Sequence, residues 1–333
     1  MTDQRFELKG FTTQSGATLD VRLAYCVHGK LNAAKDNLIL LPTYYSGRSE
    51  NNDYLIGERM ALDPRKYCIV VPNLFGSGVS SSPSNTPEPW SAANFPIMSF
   101  YDNVACQQQL VREVFDAERL HAVIGHSMGA MQAYQWASQF PTMVERFVAI
   151  CGSARTSEHN QLFLDGVVAT LKADGDFNDG DYDDPPRRGL EAFSVVYAGW
   201  FASQKFYSEQ LYKEIGAQSM SDILDMAKQI FMSHDANDLI AMAATWRVGD
   251  VSANKRYCGD FQKAMRSISA RGLVMPCDTD LYFRVSVNEQ EVVLLADCEF
   301  APIRSDFGHI AGSGRDPRAL AFIDTKIRAL LMA

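Results

Sequence analysis

The sequence predicts a mostly parallel α/β sheet flanked by helices and interrupted by one long helical insertion. Three observations carry this reading. Between about Thr18 and Ile150, short β-branched and aliphatic runs alternate with turns and helical spacings, the pattern of a buried parallel sheet. From about Ala154 to Phe261 strand runs give way to aromatic-rich helical segments, and after Arg271 the strand pattern returns. The 333 residues exceed the roughly 150 of an ordinary domain, so we divide them into a first core part (1–153), an insertion (154–262) and a second core part (263–333).

Taken in order, the predicted strands of the first part are Leu19 to Tyr25, Leu38 to Leu41, Tyr67 to Val71, Ala122 to Ile124 and Phe147 to Ile150. Helical spacing marks Met98 to Phe115 and Met131 to Phe140, the latter stopped by Pro141. Inside the insertion, the acidic stretch from Asp174 to Pro186 reads as an exposed loop. A calcium loop would need alternating oxygen ligands closed by a bidentate Glu, and none follows until Glu191. The second part offers strands at Gly272 to Met275 and Glu291 to Leu295, then a closing helix from about Pro317 to Met332. There is no internal repeat or low-complexity tract.

With 47% hydrophobic and 21% charged residues, the composition is that of a folded globular chain. A net charge of -9 argues against a binder of nucleic-acid phosphates, which needs clustered Lys and Arg. The apolar runs fall far short of the roughly 20 residues of a membrane helix, so neither nucleic acid nor membrane is an expected partner. Residues 1–10 have no apolar run behind a basic start, so no secretory signal is expected. Seven cysteines, odd in number and without a Cys-x-x-Cys pair, fit a reduced, cytoplasmic chain.

The strongest local signal is Gly125-His126-Ser127-Met128-Gly129, between a strand ending at Ile124 and a helix. A serine projecting from a sharp strand-to-helix turn needs small residues two positions either side, and Gly125 and Gly129 supply them. Serine needs a histidine base and a carboxylate to orient it. Of the downstream histidines, His159 and His234 lie in the insertion, whereas His309 sits in a loop before the final helix and is the base candidate. The carboxylate should end the strand after the insertion, where Asp278 and Asp280 both stand, and spacing does not choose between them. Two backbone N–H groups should hold an oxyanion: that of Met128, and one after the strand Leu38 to Leu41, placed at Tyr45 with Tyr44 as the alternative. His126 reads as packing beside the elbow, and Cys151 and Cys277 as small buried residues. Gly76-Ser-Gly78 lacks the third glycine of a dinucleotide loop, and no His, Cys or carboxylate group has zinc spacing, so neither a cofactor nor a metal is expected.

These segments, with Asn73-Leu-Phe-Gly-Ser-Gly78, Ala154-Arg-Thr-Ser-Glu-His-Asn160, Asp235-Ala-Asn-Asp-Leu239, Asp250-Val-Ser252, Thr279-Asp-Leu-Tyr282 and Gly308-His309, resemble the homoserine O-acetyltransferase group of the α/β-hydrolase superfamily over nearly the whole chain. The resemblance implies the α/β-hydrolase fold, an acid at Asp280, an acetyl-serine intermediate, and a helical lid that forms a homodimer interface. Two positions depart from it. Where the family's transferases carry an aspartate after the histidine stands Ile310, and where an arginine grips the homoserine carboxylate stands Ser194. An amino-acid zwitterion would there meet no charge partner, at a cost of several kcal/mol. The chain is therefore similar to the esterase branch, which cleaves short-chain esters such as acetates. Phe193, Tyr197, Trp200 and Phe201, with Tyr44 and Tyr45, would suit an apolar alcohol portion. An acyl-CoA-dependent O-acetyltransferase and a non-catalytic binding protein are the rival readings.

Overall fold

The computed structural model describes residues 3–333. It begins with two long antiparallel strands, β1 (Gln4–Thr12) and β2 (Thr18–His28), followed by β3 (Leu38–Leu40) and β4 (Cys68–Pro72). Helix α1 (Phe100–Glu113), β5 (Ala122–His126), α2 (Met128–Gln139) and β6 (Arg146–Ile150) complete the first part. Six helices come before the next strand: α3 (Glu158–Lys172), α4 (Arg187–Ala198), α5 (Gln204–Ser208), α6 (Met220–Phe231), α7 (Ala236–Arg247) and α8 (Phe261–Arg266). The chain then returns through β7 (Arg271–Met275), α9 (Val285–Val292), β8 (Cys298–Phe300) and α10 (Pro317–Met332).

The eight strands form one sheet in the order β1-β2-β4-β3-β5-β6-β7-β8, antiparallel at β1, β2 and β4 and parallel from β4 onward. Strands β3 to β6 are almost wholly buried, because helices cover both faces, and this is why they read as continuous apolar runs. One face packs against α1 and α2 through Val104, Leu110, Ala133 and Trp136, the other against α10 through Ile323 and Ile327. A third cluster, rich in aromatics, fills the space between the carboxyl ends of the strands and the inserted helices.

Two strand expectations are corrected. Strand β1 was not foreseen; its Phe6 and Leu8 alternate with Arg5, Glu7 and Lys9, the period of an edge strand with one wet face. The run Glu291 to Leu295 is no strand. It closes α9, which turns Asn288 and Glu291 inward, while the strand there is the three-residue β8. The acidic stretch is largely exposed, with Phe177 tucked beneath it and Asp174 accepting the amide of Gly189 (2.8 Å) at the start of α4. At the neck of the insertion, Arg155 and Asp250 form an antiparallel bridge and an ion pair (Nε–Oδ2 2.6 Å). The amide of Val251 donates to Ala154 (3.1 Å) and that of Thr156 to Gly249 (2.8 Å).

Candidate active site

Ser127 occupies the one-residue bend between β5 and α2 with φ 57° and ψ −123°, a strained conformation for a residue bearing a side chain. Tight packing holds it there. A Cβ on Gly125 would lie 2.1 Å from the Gly129 carbonyl, and one on Gly129 would lie 2.6 Å from the Pro42 oxygen. The Ser127 amide donates to Ile150 on neighbouring β6 (2.9 Å).

His309 arrives from a short 3₁₀ turn, Gly308–Ser313, between β8 and α10. Gly308 takes φ +65° where a side chain would meet the Ser203 amide at 2.5 Å, and its own amide donates to Thr279 Oγ1 (3.1 Å). This brings His309 Nε2 to 2.9 Å from Ser127 Oγ and His309 Nδ1 to 2.8 Å from Asp280 Oδ2. The other oxygen of Asp280 accepts the amides of Tyr282 (2.7 Å) and Phe283 (3.2 Å), which fix the carboxylate's rotation. All three side chains are secluded, with residue exposures of 3% for Ser127, 6% for Asp280 and 8% for His309. Asp278 points elsewhere, accepting the Ser305 amide (3.1 Å) and Arg304 (3.2 Å) at the surface. His159 and His234 stand apart from this group: His159 packs on Trp200, and His234 lies between Ile230 and Ser46.

The loop after β3 lies against the elbow, with Gln132 of α2 donating to the Thr43 carbonyl (2.9 Å). Met128 opens α2, where a backbone N–H has no intrahelical acceptor. Tyr45 is buried, its hydroxyl on the Leu239 carbonyl (2.9 Å) and its ring stacked on Tyr197 and Phe193. Tyr44 stands edge-on to His126, and burial pushes its hydroxyl up to about 12. Tyr197 and Trp200 close on Tyr282, whose ring meets that of His309 edge-on at 5.0 Å. Phe193 is fully buried behind them against Phe231. Phe201 is corrected: its ring joins Tyr207 in the cluster around α10, outside the aromatic box. Phe163, Trp246, Tyr282 and Phe283 are the box residues that sequence reading missed. The Leu281-Tyr282-Phe283 run beside the acid was the available signal for the last two.

His126, the residue before Ser127 at the elbow, packs its ring 4.7 Å from that of His309, and its Nε2 lies 3.3 Å from the His309 carbonyl oxygen. Burial holds it neutral, its pKa well below the usual imidazole value. Burial likewise raises the thiol of Cys151 well above its usual range. Ser194 is also buried, its hydroxyl donated to the Leu190 carbonyl (2.7 Å) within α4.

A serine on the bend after the central parallel strand, hydrogen-bonded to a histidine and through it to an aspartate on loops following later strands, is the arrangement of a serine-hydrolase type of centre on a doubly covered α/β sheet. The chain belongs to the alpha/beta hydrolase fold family, whose model matches residues 38–237. It is 40% identical to an ethyl acetate hydrolase of Pseudomonas veronii over 93% of this chain and 89% of that protein. It superposes on an acetylester hydrolase from Corynebacterium glutamicum with a TM-score of 0.96 at 33% identity, covering 99% of this chain and 96% of the other. A homoserine O-acetyltransferase of Chlorobium chlorochromatii is 26% identical over 90% of this chain and 88% of its own length.

Proposed function

We propose that the protein is a serine carboxylesterase that hydrolyses short-chain esters, acetates foremost, through an acyl-serine intermediate. The observation that carries this reading is the unbroken hydrogen-bonded path from Ser127 Oγ through both nitrogens of His309 to Asp280. Ser127 attacks the acyl carbonyl while His309 takes its proton, and the same proton passes to the departing alkoxide, releasing the alcohol. Water then attacks the acyl-serine, giving up a proton to His309, and the carboxylic acid leaves as Ser127 recovers its hydrogen. Asp280 holds the imidazole tautomer, and the amides of Met128 and Tyr45 receive the oxyanion, each donor contributing about 3 to 4 kcal/mol. Tyr44, Tyr197 and Trp200 line the alcohol side, with Phe193 supporting them, beneath residues 154–262 acting as a lid.

The names of the two esterase relatives support the acetate preference, and two side chains support water over an amino-acid acceptor. Ser194 spends its hydroxyl within its own helix, and Ile310 brings no charge. Exposed Leu162, Val195, Met220 and Ile230 support a homodimer through the inserted helices. Seven free cysteines support a reducing, cytoplasmic setting, and no helix among the described residues is long and apolar enough to cross a membrane. The decisive experiment is a product analysis with ethyl acetate, and with acetyl-CoA plus homoserine. Acetate release from the ester with an acylated Ser127 peptide is expected; efficient acetylation of homoserine would overturn the esterase assignment, and absence of any fluorophosphonate label on Ser127 would overturn catalysis.

A further inference from the structure

His126, Cys151 and His309 come from three separate elements, the end of β5, the residue after β6, and the turn before α10. Each offers a ligand atom, and these atoms lie within 4.8 Å of one another, all three residues buried. Three points no more than 4.8 Å apart share a centre at most about 2.8 Å from each, and zinc bonds of about 2.0–2.3 Å then need each atom to close in by only about half an ångström to one. Gly312 makes the convergence visible: a Cβ there would lie 2.9 Å from both Cys151 Sγ and His126 Nε2. Two further observations point to a ligand. The His126 nitrogen on the Gly312 side is Nε2, which also meets the His309 carbonyl oxygen at 3.3 Å, while the other, Nδ1, is buried with no hydrogen-bond partner among the described residues. The donor set is also two imidazoles and one sulfur, which suits thiophilic d10 cations and not oxygen-seeking magnesium or calcium.

We propose that these three residues form an inhibitory site for a soft or borderline d10 cation, zinc or cadmium, at the back of the reaction centre. Binding forms a metal–sulfur bond as the Cys151 thiol releases its proton to solvent, with no change in oxidation state, and two metal–nitrogen bonds. The His309 lone pair that the cation takes is no longer available to Ser127, so ester hydrolysis stops until a chelator removes the ion. The inhibitory half rests on His309 being the base of the proposed reaction; the binding half does not.

The test uses the full-length enzyme in metal-buffered solution with ethyl acetate as substrate. Wild type and Cys277→Ala should lose activity over the same range of free Zn2+ and recover it with EDTA. Cys151→Ala, measured against its own zinc-free rate, should need at least about tenfold more zinc for the same fractional loss, since even an outer partner of a metal site is worth 10–100-fold. Should the alanine variant fold poorly, Cys151→Ser keeps the size and removes the sulfur. Binding is read separately in Ser127→Ala by the ultraviolet charge-transfer band of a cadmium thiolate, expected there and lost in Ser127→Ala/Cys151→Ala. Equal zinc sensitivity with and without Cys151, or no cadmium band in Ser127→Ala, overturns the site. Wild-type protein that hydrolyses no ester, with the Cys151-dependent band still present in Ser127→Ala, would instead overturn the reading of His309 as base and leave the binding site standing.

Discussion

At the scale of single residues, the two neighbouring aspartates separate cleanly. Asp280 gives one oxygen to His309 and the other to two backbone amides, while Asp278 spends its carboxylate on Ser305 and Arg304. Replacement of Asp280 by Asn should lower kcat by about 10^4-fold through the wrong imidazole tautomer. Asp278→Asn should leave kcat at the wild-type level, and steady-state rates on an aryl acetate measure both. Ser127→Ala should remove activity by at least as much with the circular dichroism unchanged, because the hydroxyl itself makes no structural bond beyond that to His309. The sequence placed Ser127 and His309 by their order and by the glycines around the bend. Spacing left the carboxylate open between Asp278 and Asp280 and only the family resemblance pointed to Asp280, because which carboxylate turns inward depends on the amides of Tyr282 and Phe283, which spacing does not reveal.

At the scale of elements, the elbow depends on a backbone crowding that no side chain can enter. Gly125→Ala would put a methyl group 2.1 Å from the Gly129 carbonyl, so one element must shift, and we expect a loss of about 3 kcal/mol or more in urea unfolding. Gly166→Ala, on the exposed side of α3 with nothing within 4 Å, should do the opposite and gain about 0.5–1 kcal/mol through lost chain entropy. Periodicity located the buried strands well because both their faces are covered. It failed at Glu291 to Leu295, where an apolar run without alternation served a helix end and a turn, while β1 was passed over although Phe6 and Leu8 alternate with charged residues at the period of an edge strand. The aromatic box was only half legible. Phe163 and Trp246 come from α3 and α7, and sequence distance says nothing of which helices of an insertion will face the sheet.

At the scale of the whole molecule, Glu291 carries an electrostatic cost. It is fully buried, accepting the Ala154 amide (2.8 Å) and Asn288 (2.7 Å), and desolvation raises its carboxyl from 4.5 to about 7. A carboxyl with a raised folded pKa favours the native state below its unfolded value and loses that advantage as pH rises toward the folded one. Stability should therefore fall by about 3 kcal/mol between roughly pH 4.5 and 7 on this account. Glu291→Gln should flatten that slope in urea titrations at several pH values, whatever it does to the absolute stability. Glu291 also holds Ala154, the residue next to the clasp where Arg155 meets Asp250. Because outgoing and returning chain are stitched together at that clasp, the segment between them leaves and rejoins the sheet-bearing part at one neck. On the proposed function, exchanging that segment at its neck should alter which alcohols are admitted while Ser127, Asp280 and His309, which lie outside it, keep their places in the chain.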